Sequence, residues 1–149
     1  MTRSTALTAA ALSAVAATAA FAAGQSAPAG ALKGVAMKVT GIERASVVSL
    51  NDCPPGANNQ RGVARAGEEF AVVSLQLTLQ PDFKPTMFPR AQVFDADGKA
   101  YNTAVQFVDV GKVPDATCAI PFRVPAGTKL KTLKVDTLSL DLSTVAEKN

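Results

Sequence analysis

The chain has 149 residues, with 15 basic and 12 acidic side chains and a formal net charge of +3. It contains no histidine and no tryptophan. The missing histidine excludes imidazole metal ligation and Ser-His-Asp or Cys-His catalysis, and so small a charge does not point to a nucleic-acid partner.

Met1-Thr2-Arg3 is a short basic start, followed by an uncharged, alanine-rich run from Ala6 to Phe21. Ala20-Phe21-Ala22 fits the small-x-small pattern of a cleavage site. A membrane-spanning helix needs about 20 apolar residues, and this run is short and weakly apolar for that. Residues 1–22 therefore read as a secretory signal peptide, removed on export, rather than as an anchor. No Arg-Arg pair is present, which favours the general secretory route, and no cysteine follows the cleavage site to carry a lipid. The signal is bacterial in style. It implies a periplasmic or extracellular protein with no stable transmembrane segment after processing.

Residues 23–31, small and glycine-containing, read as a flexible leader. The domain is expected over 32–143. Val35, Met37 and Val39 alternate with Lys38 and Thr40 in a first strand that Gly41 breaks or bulges. Ile42 to Leu50 continues in β-prone residues, as part of one long bent strand or as a second short one. Asn51 to Ala66 is dense in turn formers and reads as an irregular excursion.

Phe70 to Gln80 is the strongest strand signal. Val73, Leu75, Leu77 and Leu79 share one parity, and Ser74, Gln76, Thr78 and Gln80 share the other, as in a half-buried strand. Pro81 to Pro89 is a proline-spaced crossover. Its Phe83, Met87 and Phe88 are expected to close one end of the core, with an exposed partner patch as the alternative. Arg90 to Phe94 and Ala100 to Thr103 flank Asp97-Gly98, a hairpin signal. The aspartates around it lack the further oxygen ligands of a calcium loop.

Cys118 to Val124 is a strand in which Pro121 implies an edge or a bulge. From Thr128 onward the apolar parity flips twice, which bulges or a break near Thr137 would reconcile. Residues 144–149 read as a frayed tail. Arg123, Lys129, Lys131 and Lys134 are read as lysine-type protection of sheet edges rather than as a lipid- or glycan-binding stripe.

Two cysteines, Cys53 and Cys118, in an exported chain point to a disulfide. Catalytic thiol pairs usually stand two residues apart, and these do not. About seven to nine short strands, frequent turns and no amphipathic helix imply an all-β, immunoglobulin-like antiparallel sandwich. Gly67-Glu68-Glu69-Phe70, then Phe94-Asp95-Ala96-Asp97-Gly98-Lys99-Ala100-Tyr101, then Phe122-Arg123-Val124-Pro125 resemble the telokin-like immunoglobulin-fold domains of bacterial exported proteins. Where such domains often carry Pro-Gly, this chain has Pro114-Asp115. The resemblance implies a sandwich over roughly 32–142 and supplies no catalytic residues.

No cofactor is implied. The expectation is an exported, non-enzymatic binding or accessory domain whose partner is a protein or other envelope component. Arg61, Arg65, Phe83, Met87 and Phe88 are its candidate contacts. The alternative is an envelope metal- or small-ligand-handling protein using the sulfurs of Met37, Met87, Cys53 and Cys118. An enzyme using only carboxylates, among Asp82, Asp95, Asp97 and Asp109, is a third reading.

Overall fold

The computed structural model describes residues 27–56 and 59–148. The expected signal segment, 1–22, and the start of the expected leader lie outside these residues. Strand β5 (Glu68–Leu79) is central: it pairs antiparallel along its length with β2 (Val35–Ala45) and with β8 (Asp115–Pro125). The register sets three rows of apolar side chains across the sheet. Ile42, Val73 and Ile120 form one row, Val39, Leu75 and Cys118 the next, and Met37, Leu77 and Ala116 the third. All but Ala116 are buried. Removing a Leu, Ile or Val side chain from water contributes about 1.5–3 kcal/mol, so these rows are the largest favourable element of the sheet.

The order of this sheet is β1 (Ala29–Leu32), β2, β5, β8, with β11 (Glu147–Lys148) lying parallel to the second half of β2. The second sheet runs β10 (Leu138–Asp141), β9 (Leu130–Val135), β6 (Gln92–Asp95), β7 (Ala100–Asn102). Its Val93, Leu133, Val135 and Leu140 belong to the same buried cluster as the three rows. The fold is thus an all-β antiparallel sandwich. A two-stranded ribbon, β3 (Val47–Leu50) with β4 (Gln60–Val63), forms a separate third piece. It covers the outer side of the main sheet at Phe70, whose ring lies against Gly62. Phe70 is therefore buried although it has the parity of the polar face of β5.

The irregularity expected at Gly41 and those expected from the parity flips after Thr128 are present. The β2–β5 register shifts between Val39 and Gly41. The β6–β9 register shifts between Phe94 and Asp95, where β9 passes from Leu130 to Thr132. The break near Thr137 is the β9–β10 hairpin, whose Asp136 takes a left-handed φ of 53°. Pro121 lies on β8, the outer strand of its sheet, where a missing N–H is tolerated.

Several boundaries differ from the sequence reading. The leader expected over 23–31 ends earlier, because Ala29–Leu32 pairs with β2 through a two-residue turn at Lys33-Gly34. The tail expected to fray contributes β11, held by Arg44, which donates to Glu69 and Glu147 and to the Thr128 carbonyl at 2.8–3.0 Å. With these two pieces the described residues contain eleven strands, more than the seven to nine expected. The excursion expected over 51–66 is shorter, since Gln60–Val63 is β4. Leu79 is half-buried rather than buried, because it lies at the end of the sheet.

Leu75→Ala is expected to lower stability by about 2–5 kcal/mol, the range for a core leucine truncation. Gln76→Ala, exposed on the same strand, should stay within about 0.5 kcal/mol. Urea unfolding of the two variants measures both.

Candidate functional site

The loops at the end of the sandwich that follows β5 build the candidate site. Cys53 and Cys118 form a disulfide with a Cα–Cα distance of 5.4 Å. The bond lies within the core, both residues being nearly inaccessible. It fixes more than two residues. The Cys53 amide donates to the Gln106 carbonyl at 2.8 Å, and the Val108 amide donates to the Cys53 carbonyl at 2.9 Å. The segment after β7 is thereby hung on Cys53, and Cys53 on β8. Thr103 adds a second tie, its hydroxyl donating to the Pro121 carbonyl at 2.7 Å and accepting from the Val105 amide.

The crossover between β5 and β6 packs onto this segment. Phe88 is buried and meets Phe107 edge-to-face, with ring centroids 5.9 Å apart. Lys33 reaches over the Phe88 ring and pairs with Asp136 at 2.8 Å. Phe83 is half-buried between two glycines. A Cβ on Gly111 would lie 2.6 Å from the Phe83 ring, and Gly34 meets its backbone just as closely. A side chain at Gly34 would collide with the Phe83 backbone, and one at Gly111 would displace the Phe83 ring.

Between the crossover and the 107–112 segment runs an open trough of about 700 Å³. Phe83, Pro85, Met87, Phe107 and Val108 give it apolar walls, and the Asp109–Lys112 ion pair gives it one charged rim. Asp109 has a left-handed φ of 52° and starts a single 3-10 turn, Val110–Lys112. Pro54, Pro55 and Val113 continue the apolar surface on the far side of Val108.

The sequence-predicted contacts divide among different places. Phe83 and Phe88 cover the core end, as expected. Met87 does not: it is 89% exposed. Phe83, Met87 and Phe88 share the crossover. Arg61 is exposed on β4, and Arg65 is exposed just before β5. β5 alone separates Arg65 from the trough, a span of about 40 Å at ~3.3 Å per residue. The five residues are therefore not one site. Val108 and Val113, 43% and 40% exposed, were not singled out by sequence reasoning, because isolated valines in a turn-rich stretch carry no period.

The sulfur atoms are also dispersed. Cys53 and Cys118 are bonded to each other, Met37 is in the core, and Met87 is on the surface. Among the described residues no group of three or more metal-ligating side chains converges. Asp95, in the β6–β7 hairpin, is occupied within its turn. It accepts from the amides of Asp97 and Lys99 and from the Tyr101 hydroxyl at 2.9–3.0 Å. Desolvation opposes its charge and raises the pKa, but these hydrogen bonds together outweigh it and hold the carboxyl below its ordinary value. Comparison of the chain with protein-family models, with curated proteins and with solved structures found no match.

A Cys53→Ser, Cys118→Ser double variant should lose about 4 kcal/mol, the chain-entropy value for the 65-residue separation. Amide exchange should accelerate most at Val108, whose acceptor is the Cys53 carbonyl. Calorimetry and exchange on the two forms give the comparison.

Proposed function

We propose that the chain is an exported, non-enzymatic binding or accessory domain of the bacterial envelope, of the telokin-like immunoglobulin kind, and that it engages its partner through the loop-end trough. Export is supported by the basic start, alanine-rich run and small-x-small site at the N-terminus. A buried disulfide agrees with an oxidising compartment. Among the described residues no helix is long and apolar enough to cross a membrane.

The observation that carries the binding reading is the uncovered apolar surface at this end. Met87 stands 89% exposed and shares the trough with Val108, beyond which Val113 continues the exposed apolar surface. An unbranched thioether adapts its shape to an apolar partner group. Pro85 and Pro89 stiffen the backbone that presents it, which limits the entropy lost on binding. Phe83 and Phe107 add aromatic walls, and Lys112 and Asp109 give a polar rim. In this reading the partner is an envelope component that inserts an apolar side chain between Met87 and Val108.

Affinity capture from envelope extract with the processed protein tests this. Met87→Asp should abolish recovery of the partner taken by the wild type and leave the melting temperature within a few degrees, since Met87 packs on little. Asp97→Lys, in the β6–β7 turn outside the trough, should leave capture unchanged. Equal recovery by the wild type and Met87→Asp would defeat the proposal.

A further inference from the structure

A second groove, of about 420 Å³, lies on the outer face of the main sheet. Three successive residues of β3, Val47, Val48 and Ser49, border it. Successive side chains of a strand point to opposite faces. Three in a row on one groove therefore mean that β3 presents its backbone edge there. Among the described residues β3 pairs with β4 alone, and no β4 residue lines the groove. The edge beside the groove is the unpaired one.

The floor is made of short side chains, among them Ser74 of β5 and Thr117 and Ala119 of β8. They leave room for a backbone to lie close to the sheet. The charge is one-sided. Glu43 and Asp52 line the groove, and among the described residues no lysine or arginine does.

We propose that this groove receives an extended, basic segment of a partner protein, which adds to β3 as the third strand of the ribbon. Two-stranded ribbons are marginal by themselves. An open edge carries unpaired N–H and C=O groups that an incoming strand satisfies, while flanking pockets select its side chains. Here the backbone ladder to β3 supplies the docking, and lysine or arginine side chains of the segment meet Glu43 and Asp52. The surface is distinct from the loop-end trough, so the proposal stands or falls separately from the binding role assigned to Met87.

The test uses the disulfide-intact, isotope-labelled protein and three synthetic nonapeptides. One alternates valine and threonine between terminal lysines, one replaces the lysines by glutamates, and one carries the lysines with alternate backbone amides methylated. The lysine peptide should shift the amide signals of Val47, Val48 and Ser49 and slow their exchange. The glutamate and methylated peptides should bind at least tenfold more weakly. Ala119→Arg, which fills the floor and reverses the charge, should weaken the lysine peptide at least tenfold. Glu43→Gln, at an exposed position whose carboxylate makes no hydrogen bond or ion pair among the described residues, should weaken it several-fold. Unmoved β3 amides at millimolar lysine peptide would overturn the proposal. So would equal affinity for the lysine and glutamate peptides, or undiminished binding of the methylated one.

Discussion

The structure depends on β5 being hydrogen-bonded on both sides with only one parity turned to the interior. Leu75 shows the consequence. It faces Val39 across one ladder and Cys118 across the other. A one-residue slip of either neighbour would turn its whole apolar set outward. The Gly41 bulge and the edge position of Pro121 are compatible with this because both lie where a neighbour of β5, not β5 itself, absorbs the irregularity.

The sandwich is closed differently along its two sides, and that difference places the trough and the outer groove. Along one side β1 meets β10, and the absent side chain of Gly30 lets Leu138 approach, its Cδ1 lying 2.6 Å from where a Cβ would be. Along the other side the closure is made by the disulfide and by Thr103 beneath the Pro121 carbonyl. That second closure brings residues 106–108 beside Cys53 and so builds one wall of the trough. Residues 51–55, leaving β3 for Cys53, stand between the trough and the outer groove. Asp52 and Pro55 border surfaces on both sides. A single cystine therefore fixes the relative position of the trough and the outer groove.

Much of the fold was legible in the sequence because its signals are local. The alternation from Val73 to Leu77, the Asp97-Gly98 hairpin and the parity flips after Thr128 each reflect one strand or one turn. The pairing of Cys53 with Cys118 followed from their even count. What was not legible depends on contacts distant in sequence. Ala29–Leu32 looks loose because its composition is small and glycine-containing; it becomes a strand by lying on the edge of β2. Glu147–Lys148 is ordered by Arg44 across 103 residues. Phe70 has the wrong parity for the core and is buried by a ribbon whose sequence, Gln60-Arg61-Gly62-Val63, has no apolar period. The candidate site was half legible. The crossover aromatics were recognised, but Met87 was expected among the covering residues, and the groove beside β3 had no sequence signature.

Native-state amide exchange tests the organising role of β5 most directly. Every interior amide of β5 lies in a ladder on one side or the other, so the account predicts that Val73, Leu75 and Leu77 exchange only through global unfolding, at the free energy measured by denaturant. The β3–β4 ribbon should open at a lower free energy. Exchange of the β5 amides ahead of those of the ribbon would contradict the account.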